Sequence, residues 1–100
     1  MNKIYCFDID DTICKTKGID YSKSTPYFER IEQINRLYDK GNIIKLYTAR
    51  GTKTKIDHSE LTQSQLKKWG LKYHELHFGK PDADFYIDDK ANDIFGWFSS

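Results

Sequence analysis

Short apolar runs alternate with helical periods along this chain, and that alternation most narrows what it can fold into. "KIYCFDI" (3–9) and "NIIKLYTA" (42–49) are brief, nearly unbroken in hydrophobicity and rich in β-branched and aromatic residues, as strands buried on both faces are. Between them, "PYFERIEQINRLYDKG" (26–41) repeats Phe28, Ile31, Ile34, Leu37 and Tyr38 at helical spacing, with Gly41 as a stop. "HSELTQSQLKKWG" (58–70) predicts a second helix carrying Leu61, Gln65, Leu66 and Trp69, stopped at Gly70. "YHELHFG" (73–79) and "FYIDD" (85–89) predict two further strands, separated by a turn at "KPDAD" (80–84). Residues 13–26 read as an extended loop or small hairpin, 50–57 as a polar loop and 90–100 as a short helix or tail. The expected class is α/β: an open parallel sheet with helices on its faces.

One hundred residues, 38% hydrophobic and 15% aromatic, suit one domain spanning 1–100 with a compact core. Sixteen basic residues against fifteen acidic leave a net charge of +1, so nothing global points to nucleic acid or an anionic membrane surface. No stretch has the apolar length of a membrane span, and "MNKIYCFDID" enters a strand without a signal-peptide pattern. Cys6 and Cys14 make no disulfide framework. A reduced, cytoplasmic setting is the expectation. A zinc site would need closer ligand spacing than Cys6, Cys14, His58, His74 and His77 offer.

In open parallel sheets, ligands sit at the carboxyl ends of the strands. Three predicted strands end in functional polar residues: Asp8 and Asp10, Thr48 and Arg50, Asp88 and Asp89. Asp8 and Asp10, two positions apart, are expected to lean to one side of the strand and to share a cation. If the sheet brings the strand ends together, four carboxylates converge and repel unless a divalent ion and Lys80 neutralise them. A hard cation such as Mg²⁺ takes oxygen ligands and keeps several waters, so two or three carboxylates suffice. A metal beside a free carboxylate suits phosphoryl transfer: one carboxylate attacks phosphorus and a second shuttles the proton. A hydroxyl and an ammonium then hold the remaining phosphate oxygens, jobs that fit Thr48 and Lys80.

At these residues the chain resembles a family. "FDIDDTI" resembles the DxDxT opening motif of the haloacid dehalogenase (HAD) superfamily. "IIKLYTAR" is similar to its second motif, a hydrophobic strand ending in Thr or Ser; Lys80 in "GKP" to the third, a lone Lys; and "FYIDDKAND" to the fourth, a hydrophobic strand ending in paired acids. The motifs occur in order from residue 4 to residue 93. The resemblance implies a three-layer, Rossmann-like HAD fold. It implies Asp8 as the nucleophile forming an aspartyl-phosphate, and Asp10 as general acid/base with its backbone carbonyl on Mg²⁺. It further implies Thr12 stiffening the loop, Thr48 bonding the phosphoryl group, and Lys80 bridging phosphate and nucleophile. Asp89 would bind the metal with Asp88 beside it, or Asp93 in place of Asp88. Residues 13–26 take the place of the family's flap. The gaps at 13–26 and 49–79 are too short for a cap domain, so an open, capless site is expected. Lys80, followed by Pro81 and only eight positions before Asp88, departs most from the family pattern.

Within the family, "YTARG…QLKKWGLKYHELHFGKPDADFYIDDKA" resembles small proteins of capsule or polysaccharide biosynthesis. In layout it is also similar to the phosphatase half of phage polynucleotide kinase. The leading expectation is a Mg²⁺-dependent phosphatase acting on a phosphorylated sugar or sugar acid. The alternatives are a polynucleotide or nucleotide 3′-phosphatase, phosphoryl transfer to a non-water acceptor, and a non-catalytic phosphate-binding or assembly protein. Arg50 reads equally as a contact to a substrate oxyanion and as a structural salt bridge. His74 and His77 read as partly buried structural residues, and the lysines of "KTKGIDYSK" and of 53–55 as solvated loops or a basic rim. Trp69, Trp97 and Phe98 read as core or subunit contact; an exposed "FGWF" would favour a homo-oligomer covering the open site.

Overall fold

The computed structural model describes residues 2–18, 20–51, 55–79 and 84–87. Six strands and two α-helices follow in order: β1 (Ile4–Asp8), β2 (Cys14–Lys15), β3 (Thr25–Pro26), α1 (Phe28–Asp39), β4 (Ile43–Tyr47), α2 (Ser59–Lys68), β5 (Glu75–His77) and β6 (Phe85–Ile87). A 3-10 turn, Tyr21–Lys23, lies between β2 and β3.

The main sheet has the order β5-β4-β1-β6 and every pairing in it is parallel. A parallel α/β sheet, consistent with the Rossmann-like expectation, is therefore present, with β1 between β4 and β6; the third layer of that expectation is not seen among the described residues. β1, β4 and β5 are a residue or two shorter at each end than the apolar runs suggested. β1 to β4 and β4 to β5 are successive steps in one direction across the sheet. Right-handed crossovers then place α1 and α2 on the same face. There α1 is tied to the segment after α2: Asn35 Nδ2 donates to the Gly70 carbonyl at 2.9 Å, and the Lys72 N–H donates to Asn35 Oδ1 at 2.8 Å.

Strand alternation sends Tyr5, Phe7 and Ile9 toward the helices. Register sets Phe7 beside Leu46 and Ile87, and Tyr5 beside Ile44. These side chains join Ile31 and Ile34 of α1, Leu66 of α2, and Trp69 and Leu71 after it, in one buried cluster. Cys6 points the other way and is also fully buried, so the centre of the second face is sealed too. Phe28 is the exception to the helical pattern. As the first residue of α1 it stands before the turns that pack on the sheet, and it is 64% exposed.

Both helices end where Gly41 and Gly70 were expected to stop them. At the start of α2, Asp57 accepts the Ser59 N–H at 2.9 Å, and its bonds to Ser59 hold its carboxyl below the ordinary range. The 13–26 segment is a small antiparallel hairpin, with Cys14 opposite Pro26 and Lys15 opposite Thr25. Its base is tied down by the Tyr27 N–H on the Ile13 carbonyl at 2.8 Å and by Arg30 Nη1 on the Thr12 carbonyl at 2.8 Å.

Among the described residues, no helix is long and apolar enough to cross a membrane. The expected turn at 80–83, the paired acids Asp88 and Asp89, and the 90–100 segment with Trp97 and Phe98 lie outside the described residues.

Candidate functional site

The carboxyl end of β1 builds the site from local turn chemistry. After Asp8 the chain does not continue straight. The Ile9 carbonyl accepts the N–H groups of Thr12, Ile13 and Cys14 at 3.3, 2.9 and 3.3 Å, closing a single helical turn. Asp11 absorbs the reversal at φ 64°, a conformation Asp tolerates better than most side chains. Its carboxylate accepts the Thr16 N–H at 3.3 Å. "DIDDTIC" is thus a turn-former as well as a charge cluster.

The two leading carboxylates, expected to share a cation, are engaged differently. Asp8, at the strand end, is half-buried, and its Oδ1 accepts the Ile9 N–H at 2.9 Å. Asp10 is enclosed by donors. Its Oδ1 accepts from Thr16 Oγ1 at 2.6 Å and Arg50 Nη2 at 2.8 Å; its Oδ2 accepts from Arg50 Nε at 3.0 Å and, at the margin of bonding, from Thr48 Oγ1 at 3.5 Å.

Arg50 is the hub. Its side chain is 0% exposed. Besides Asp10 it donates to Thr62 Oγ1 at 3.2 Å and Gln65 Oε1 at 2.6 Å through Nη1, and to Ser24 Oγ at 3.3 Å through Nη2. The guanidinium also lies over the Tyr21 ring, 4.7 Å from its centroid. Every guanidinium nitrogen thus has a partner within the chain, and of the two readings given to Arg50 the salt bridge, to Asp10, is present.

Thr48 is buried at the end of β4, where its hydroxyl accepts the Arg50 backbone N–H at 3.1 Å. Thr12 is fully buried, and its Oγ1 has no hydrogen-bond partner among the described residues. Asp10, Thr48 and Arg50 therefore meet at the carboxyl edge of the sheet, and Asp8 ends β1 there opposite Tyr47. Lys80, Asp88, Asp89 and Asp93 lie outside the described residues.

Gly51 shapes the loop that follows. It holds φ 80°, and a Cβ there would run into the Ile56 carbonyl oxygen. Gly51→Ala is expected to destabilise the fold by about 2–4 kcal/mol, combining left-handed strain with a backbone clash. Urea denaturation measures it.

Thr16, Tyr21, Ser24, Thr62 and Gln65 were not singled out as site residues. For α2 a signal existed: Thr62 and Gln65 share a face with Leu66 and are buried, and a buried polar side chain needs a partner. Cys14 joins the same cluster, its Sγ 3.8 Å from Asp10 Oδ1. Burial pushes its thiol up to about 11, outweighing the bond with Thr16. Cys14 and Cys6 are both buried and form no disulfide with each other. Near neutral pH both are expected to react with a disulfide reagent at least about 100-fold slower than in urea-unfolded chain. Absorbance on thiol titration checks this.

His74 and His77 each have partners within the chain. His74 is exposed rather than partly buried. Its Nδ1 accepts the Ile44 N–H at 3.0 Å and its ring stacks on Tyr38 with centroids 4.5 Å apart. His77 pairs with Glu75 at 2.8 Å.

Among the described residues, no group of three or more His, Cys, Asp or Glu side chains stands ready for a metal ion. The donors here are hard oxygens, which fit Mg²⁺. The Asp8 carboxylate is a donor of this kind, whereas the Asp10 carboxylate already accepts from Arg50, Thr16 and Thr48.

Two solved structures share this fold. A protein from Vibrio cholerae, solved as an MCSG target, matches with a TM-score of 0.78 and 28% identity, covering 98% of this chain and 89% of that one. A conserved protein from Bacteroides thetaiotaomicron matches with a TM-score of 0.72 and 17% identity, covering 99% of this chain and 88% of that one. Both are described by source alone, so the likeness carries a fold and no activity. No family model and no curated protein matches the chain.

Proposed function

We propose that this chain is a Mg²⁺-dependent phosphatase of the HAD type, acting through an aspartyl-phosphate on a small phosphorylated sugar or sugar acid. One observation carries the reading most: Asp8 ends the inner strand β1, and Asp10, two residues on, is held against Thr48 at the end of neighbouring β4. That arrangement matches the order of motifs along the sequence.

Asp8 would attack phosphorus, forming the Asp8 O–P bond as the ester O–P bond breaks. The leaving oxygen takes the proton that Asp10 must carry to act as the acid. A water then attacks phosphorus, giving its proton to Asp10 and releasing phosphate from Asp8. The Ile9 N–H fixes the plane of the Asp8 carboxylate. The Asp10 side chain is 22% exposed. Mg²⁺, when bound to Asp8 and the Asp10 carbonyl, supplies charge neutralisation of the phosphoryl oxygens. Asp88 and Asp89 are the further ligands and Lys80 the phosphate clamp in this reading.

A second reading has its own support. Both Asp10 oxygens already accept hydrogen bonds within the chain, which favours a phosphate-binding or assembly protein with a retained, slow site.

Hydrolysis of a panel of esters with Mg²⁺ separates the two. The panel holds sugar phosphates, mononucleotides and a 3′-phosphorylated oligonucleotide. Turnover best on a sugar phosphate is the expected result. Best turnover on the oligonucleotide moves the substrate to nucleic acid. Phosphate binding without turnover supports the second reading.

A further inference from the structure

We propose that Arg50 is a positioning residue that couples the seat of the 16–24 loop to the orientation of the Asp10 carboxylate, and is not a ligand for the substrate's phosphate. The inference rests on the phosphatase reading for its consequence in catalysis and on geometry alone for the coupling.

A guanidinium has five N–H donors in a rigid fork, so its orientation is set by whatever fills them. Here two faces of the fork hold Asp10, and the others reach α2 through Thr62 and Gln65 and the loop through Ser24. The loop returns the contact twice more. Tyr21 covers the guanidinium plane, and Thr16 bridges Ser24 Oγ at 2.6 Å to Asp10 Oδ1 at 2.6 Å. Gln65 Nε2 also donates to the Tyr21 carbonyl, closing a ring of contacts from α2 through the loop back to Arg50. Lifting the loop therefore removes Tyr21, Ser24 and Thr16 from the pair together. Asp10 would then keep its charge partner but lose the neighbours that fix its angle. A segment that opens to admit a substrate and closes again would thereby set Asp10 only when closed.

Two variants test this. In Tyr21→Ala, hydrogen exchange at the Arg50 Nε–H, read by NMR on the whole protein, is expected to speed up at least about tenfold, because its cover is gone while its own partners remain. Arg50→Lys keeps a positive charge and loses the fork. It is expected to lower kcat at least about tenfold with KM, and the affinity for orthovanadate with Mg²⁺, within about threefold, and to retain more kcat than Arg50→Met. An unchanged exchange rate in Tyr21→Ala overturns the coupling. Orthovanadate affinity falling in step with kcat in Arg50→Lys overturns the positioning role and makes Arg50 a substrate ligand. Wild-type protein that neither turns over an ester nor binds orthovanadate removes the phosphatase reading, and the exchange rate alone then decides the coupling.

Discussion

Asp8→Asn is expected to lower Mg²⁺-dependent ester hydrolysis by at least about 10³-fold while leaving the fold intact. The substitution is nearly isosteric. An amide oxygen can still accept the Ile9 N–H that orients the side chain, so the turn after β1 keeps its anchor. What disappears is the negative charge and the nucleophile. An amide does not form the acyl phosphate, and a neutral group binds a hard cation less well than a carboxylate. Steady-state kinetics and a thermal melt on the same preparation make the check. Loss of rate with an unchanged melt is the expected pair. A variant retaining a tenth or more of wild-type turnover would remove Asp8 from the nucleophile's role, since even a severe misplacement of a general base costs only about 10²–10⁴-fold.

Asp10→Ala is expected to cost stability, by about 3–5 kcal/mol. Arg50 is 0% exposed, and Asp10 is the carboxylate bonded to it among the described residues. Removing Asp10 leaves a desolvated guanidinium with only neutral partners. That penalty is a large share of the roughly 5–15 kcal/mol that holds a domain together. It corresponds to a drop in Tm of tens of degrees for a domain of this size, at about 4–8 °C per kcal/mol. Adding Arg50→Met to Asp10→Ala should recover much of the loss, because the uncompensated charge leaves with it. Urea denaturation of the singles and the double gives the coupling. Additive losses would show that the pair contributes little beyond its separate packing.

How much of this was legible in the sequence follows the range of each interaction. β1 and β4 were readable because a strand buried on both faces writes itself as a local apolar run, and α1 because its buried residues repeat within one element. Phe28 obeyed that repeat and is nonetheless exposed, since periodicity marks a face and not where along the helix the sheet ends. Asp8, Asp10 and Thr48 were legible as strand-end residues because the strands they follow are written locally. Arg50 could not be assigned one role because its partners come from separate segments: the turn after β1, the loop at Tyr21 and Ser24, and α2. No spacing rule links position 50 to positions 62 and 65. Only the packing of α2 against the hairpin brings them together. Asp10 shows the same limit. Spacing placed it beside Asp8, but no local rule links it to Arg50, the partner its carboxylate takes.

The most direct test of the central claim is to look for the phosphoryl group on Asp8. Protein mixed with Mg²⁺ and the best ester of the panel is quenched in acid, where an acyl phosphate survives long enough to digest, and the peptides are weighed by mass spectrometry. The account predicts one phosphoryl group on the peptide carrying Asp8, absent without ester and absent in Asp8→Asn. Turnover of that ester with no phosphoryl group on Asp8 at any quench time, under conditions where phosphate release is slower than attack, would contradict it.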